Sequence, residues 1–181
     1  MSSTGLDPRS FFDQYVLPSF HQWQERPLDL RLAKNAIAEA NNMSERMFLW
    51  LREHDDSFNI SSPAEYRDYI VREECEHFAF VRDIADAHKH IRLHRKTRRI
   101  SEDSQTKQET TGGLFLRGHW LPGLFIKGYW GEKEKLAVTL DDGQKVRLAV
   151  ILPKVVEMWE NLLNQAGLHS GKECVSAKES V

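Results

Sequence analysis

YRDYIVREECEHFAFVRDIADAHKHIRLH, residues 66 to 94, is the stretch that decides the fold. Its start is marked by Ser62-Pro63-Ala64-Glu65, which puts Ser at the N-cap, Pro at the first helical position and Glu three residues after the cap. At about 100° per residue, Tyr66, Ile70, Glu73, His77, Phe80, His88 and Ile91 share a face with Ile84. The spacing predicts one long helix with an apolar stripe interrupted by Glu73, His77 and His88. Buried ionisable groups are costly unless paired, so the i,i+4 spacing of Glu73 and His77 predicts a pair inside a bundle. Arg82 falls nearly opposite the stripe, within i,i+4 reach of Asp86.

The helix is polarised. Residues 65 to 86 carry seven acidic side chains and three Arg. The following run contains Lys89, Arg92, Arg95, Lys96, Arg98 and Arg99 with no acid among them. Acid early and base late suits the helix dipole. Six cations in eleven positions, 89 to 99, exceed what a helix end needs and point to a polyanion such as RNA.

The string Arg82-Asp83-Ile84-Ala85-Asp86-Ala87-His88 resembles the short motif of the HEPN superfamily: an Arg, often with a polar neighbour, and a His a few residues on, late in a helix. These are small helical-bundle domains found in ribonucleases, toxins and nucleotidyltransferase partners. The resemblance spans about residues 29 to 95 and implies Arg82 and His88 as the active pair, with Asp83 beside them. It also implies a homodimer in which the two motifs face each other. The chemistry is coherent. Metal-independent RNA cleavage needs a base for the 2′-proton, which His can supply, and a cation for the charged phosphorane, which Arg can supply. Arg82 and His88 nevertheless point about 120° apart on a regular helix, so a second subunit would have to complete the site. The alternative is a non-catalytic helical scaffold or protein-interaction protein.

Composition sets further bounds. A chain of 181 residues can bury a real core. The net charge of −2 argues against a globally basic nucleic-acid binder. Cys75 and Cys174 are too far apart in sequence to read as a metal knuckle. No signal-like or membrane-spanning apolar run occurs, so a cytoplasmic protein without a membrane segment is expected. His54-Asp55 resembles the metal pair of HD phosphohydrolases, and Glu74-Cys75-Glu76-His77 contains the Glu-x-x-His unit of ferritin-like bundles. Each lacks its further ligands, so no metal or other cofactor is expected.

The rest of the chain organises around this helix. Asp7-Pro8 opens a first helix to about Trp23, with Pro18 predicting a kink or two short pieces. A second helix runs from about Asp29 to His54, with Ala33, Ile37, Ala40, Met43 and Met47 on its packing side. Ser101 to Gly113 has no apolar residue and reads as a polar link or flap. Strands are expected at 114–120, 124–130, 135–140 and 145–152, with a hairpin turn at Asp141-Asp142-Gly143-Gln144. A last helix is expected from Pro153 to Gln165, ended by Gly167. The fold class is therefore mainly α, a helical bundle with a small antiparallel sheet and a C-terminal helix. The expected division is a bundle domain at 1–100, a linker at 101–113, a sheet-plus-helix extension at 114–167 and a disordered tail at 168–181.

Overall fold

The computed structural model describes residues 7–90, 98–116, 119–121, 124–126 and 129–169, with backbone only for 90 and 110–134. Helices dominate, as the periodicity predicts. Asp7 opens the chain's helical part by accepting from the Arg9 and Ser10 amides, both at 3.0 Å. Helix α1 (Pro8–Phe11), a π-helical turn (Phe12–Val16) and α2 (Leu17–Glu25) follow without a gap. The wide turn falls just before Pro18, whose missing N–H and ring a regular helix interior accommodates badly. The expected kink is thus a π turn.

Helix α3 (Leu30–His54) starts where expected, with Asp29 accepting from the Arg31 and Leu32 amides. Its buried side carries Ala33, Ala36, Ile37, Ala40, Met43 and Met47. The small residues let another helix approach the backbone closely. Trp159 uses that approach, donating its indole N–H to the Ala40 carbonyl at 2.9 Å in the buried interior.

The single long helix expected over 66–94 is two pieces. Helix α4 (Pro63–Tyr69) begins at Ser62, whose hydroxyl accepts from the Glu65 amide. Glu65 completes the cap one residue earlier than predicted, accepting from the Ser61 amide and hydroxyl. A π-helical turn (Ile70–Glu74) ends at Cys75, whose backbone is extended (φ −157°, ψ 107°). Helix α5 (Phe78–His90) then restarts. Glu73, Glu74 and Glu76 crowd this point, and like charges on adjacent turns weaken a helix there. The break also changes which faces are covered. Phe78, off the predicted stripe, is fully buried and meets Trp159 edge-on at 5.6 Å. The expected Glu73–His77 pair does not form. Glu73 accepts from Arg72 Nε at 2.6 Å, while His77 Nδ1 stands 4.0 Å from Glu76.

The sheet is antiparallel, in the order β1 (Thr106–Leu116), β4 (Tyr129–Thr139), β5 (Lys145–Arg147). Two short strands, β2 (His119–Leu121) and β3 (Leu124–Ile126), pair separately between β1 and β4 in the chain. The polar run 101–113 is not the expected link. After a 3-10 turn (Asp103–Gln105) it becomes β1, with Thr106 opposite Val138 and Gln108 opposite Leu136. Its ladder bonds come from the backbone of β4, so the strand needs no apolar side chains of its own. The hairpin turn forms at 141–144, with Gly143 at φ 83° and the Leu140 amide donating to the Gln144 carbonyl.

The expected strand 145–152 stops at Arg147, and α6 (Leu148–Gln165) begins five residues before Pro153. Leu148, Ile151, Leu152, Val155 and Val156 are buried at helical spacing, while Val150 is exposed. A short apolar run fits both periods, and packing selected the helical one. One buried cluster joins Phe12, Ile37, Ile84, Ile100, Val138 and Trp159, so the first helices, the sheet and α6 share a core. Among the described residues, no helix is long and apolar enough to cross a membrane. The expected disordered tail lies outside the described residues from 170 onward.

Candidate functional site

Helix α5 carries Arg82, Asp83 and His88, and it is covered almost all round. Phe78, Val81, Ile84 and Ala87 are buried, and so are Arg82 and Asp83. A helix in such a place must find internal partners for each of its polar groups.

Asp83 has no exposed surface and accepts from the Arg99 amide at 2.7 Å. That bond ties α5 to the returning chain. Arg99 is held twice more. Its carbonyl accepts from the Asp141 amide at 2.9 Å, and its guanidinium lies over the Phe80 ring at 4.8 Å. The Arg82 side chain is 8 % exposed, not solvent-facing as its position on the wheel predicts. Its Nη1 donates to Asp68 Oδ1 on α4 at 2.6 Å, and its Nε lies 3.5 Å from Asp83 Oδ1. Asp68, not Asp86, is its recorded carboxylate at hydrogen-bond distance. Arg82 and Asp83 together therefore join α4, α5 and the segment entering the sheet.

His88 sits elsewhere. Its side chain is half exposed, with Nδ1 3.5 Å from Asp103 Oδ1. The other oxygen of Asp103 accepts from Lys34 Nζ on α3 at 2.6 Å. Asp103 thus stands between two groups able to carry positive charge. A carboxylate beside Nδ1 can orient an imidazole and leave Nε2 for proton transfer. Arg82 and His88 have different partners on different elements, so within one chain they do not converge through any shared group.

The basic run is divided as well. Lys89 is exposed at the end of α5. Arg98 is partly buried, its Nε 3.5 Å from Asp141 Oδ2. Arg92, Arg95 and Lys96 lie outside the described residues. Among the described residues, no group of three His, Cys, Asp or Glu side chains gathers as metal ligands would.

Asp68, Asp103 and Lys34 were not legible as partners in the sequence. Lys34 and Asp103 are 69 positions apart, and Arg82 and Asp68 are 14 apart across a broken helix. No local spacing rule links either pair. Compared with protein-family models, curated proteins and solved structures, the chain finds no match in any of the three.

Proposed function

We propose that this chain is a non-catalytic helical protein that works by interaction, with Arg82 and Asp83 serving its framework. The observation that carries this reading is the engagement of both side chains inside the protein: Asp83 on the Arg99 amide and Arg82 on Asp68. A phosphorane-stabilising Arg must present its guanidinium to a substrate, and this one is 8 % exposed and already paired.

One observation favours the second reading, a HEPN-like homodimer that binds or cleaves RNA in the cytoplasm. His88 is half exposed, has a carboxylate at Nδ1 and is followed by the exposed Lys89. The pair of readings is separated by one assay. A mixed, end-labelled RNA pool is incubated without metal with the wild type, His88→Ala and Lys89→Ala, the oligomeric state being measured in parallel by light scattering. Neither substituted side chain is buried, so both variants should keep the fold. Under the interaction reading, the RNA stays intact with every protein. Metal-independent cleavage by the wild type that is lost in His88→Ala would overturn that reading and make His88 a catalytic base.

A further inference from the structure

A cavity of about 400 Å³ opens away from the Arg82 and His88 region, between the end of α3, the 55–60 loop, α4 and the last turns of α6. Three aromatic rings line it. Phe58 meets Tyr66 edge-on at 5.7 Å, and Tyr66 stacks on Tyr69 with an interplanar angle of 12°. Two carboxylates, Asp55 and Glu74, also line it, and no Lys, Arg or His does. Each carboxylate is only partly used. Asp55 Oδ1 accepts from the Ser57 amide and hydroxyl, and Glu74 Oε1 accepts from the Tyr69 hydroxyl at 3.1 Å. Among the described residues, nothing donates to the second oxygen of either.

Tyr66 is the second, independent sign of a ligand. It is 2 % exposed and lines the cavity, yet its hydroxyl makes no hydrogen bond with the described residues. A buried hydroxyl without a partner is costly. Burial first, and then the nearby Glu74 and Tyr69, push its ionisation well above the usual tyrosine range, so it remains an O–H at neutral pH. Aromatic faces attract cations, and low positive charge in the walls leaves the two carboxylates to dominate the local field.

We propose that this cavity binds a small alkylammonium ion, whose N–H groups donate to Tyr66 Oη and the Glu74 carboxylate while its carbon body lies among Phe58, Tyr66 and Tyr69. The cavity's mixed lining fits such a ligand better than a bare metal ion, which would want several oxygens converging on one point. The site is independent of the reading of Arg82 and His88.

The test is a ¹H–¹⁵N NMR titration of the full chain with n-butylammonium, and with 1-butanol as the uncharged control. Saturable shifts are expected at the amides of Phe58, Tyr66, Tyr69 and Leu162 with the amine and not with the alcohol. Glu74→Gln keeps the acceptor for Tyr69 and should weaken binding about tenfold, the loss of one charge-assisted hydrogen bond. Tyr66→Phe removes an unpartnered hydroxyl, so it should leave the melting temperature unchanged and weaken binding about fivefold. The proposal is overturned by the absence of saturable shifts, by equal shifts with butanol, or by unchanged binding in either variant.

Discussion

Asp83 and Arg82 show how a polar pair can be structural in the middle of a helix. Asp83→Asn keeps the shape but weakens a fully buried bond to the Arg99 amide. We expect a loss of about 2 kcal/mol in urea unfolding, with the slope unchanged. Arg82→Ala removes the guanidinium between Asp68 and the buried Asp83 carboxylate. It should cost about 3 kcal/mol, and because that charge is buried the loss should persist in 1 M salt, where an exposed pair's contribution would vanish. A Tm for Arg82→Ala equal to that of the wild type would show that the guanidinium contributes nothing to the framework. Local spacing showed that Arg82, Asp83 and His88 are the chemically loaded residues of the helix. It placed Arg82 outward, because a helical wheel assumes one covered face, and α5 is covered on nearly all sides.

Helix ends and turns are where the sequence was read most accurately, since their partners lie within four residues. The caps at Asp7, Asp29 and Ser62 form, and so does the turn around Gly143. Strand β1 and the first turn of α6 are the opposite case. The run Thr106–Leu116 is a strand because β4 offers it a ladder, and residues 148–152 are helical because α5, β4 and β5 lie against their buried side. Trp159 tests the element scale directly. Trp159→Phe leaves the Ala40 carbonyl without its buried donor and opens a small void beside Phe78. We expect about 2 kcal/mol of destabilisation by thermal or urea unfolding. Gln105 tests the entry to the sheet. Its amide group accepts from the Ser101 and Glu102 amides and donates to the Thr139 carbonyl and Asp141. Gln105→Ala should speed hydrogen exchange at the β1–β4 and β4–β5 pairs nearest this point while leaving α3 protected.

At the scale of the whole molecule, acid should loosen several junctions together. The Ser61 hydroxyl and amide hold Glu65 below the usual carboxylate range. Burial opposes ionisation of Asp7 and Asp141, but hydrogen bonds from Ser10 and Arg9 in one case, and from Ser101 and Gln105 with the Arg98 charge in the other, lower both. A carboxylate whose folded pKa is depressed binds protons more readily when unfolded. Its stabilisation is therefore present above the unfolded value near 4 and is lost as pH falls through the folded one. Unfolding free energy should be flat between about pH 6 and 8 for these groups and decline below about pH 5, and Asp141→Asn should make that decline shallower. The sequence by itself determined the helix starts, the 141–144 turn and the mainly helical class with its small sheet, because capping, turn chemistry and periodicity act over a few residues. Only the tertiary structure decided that Arg82 and Asp83 turn inward, that a wholly polar run becomes a strand and that His88 meets Asp103. Those outcomes depend on which distant surfaces cover α5 and which backbone edge lies free beside residue 106, and no local pattern encodes either.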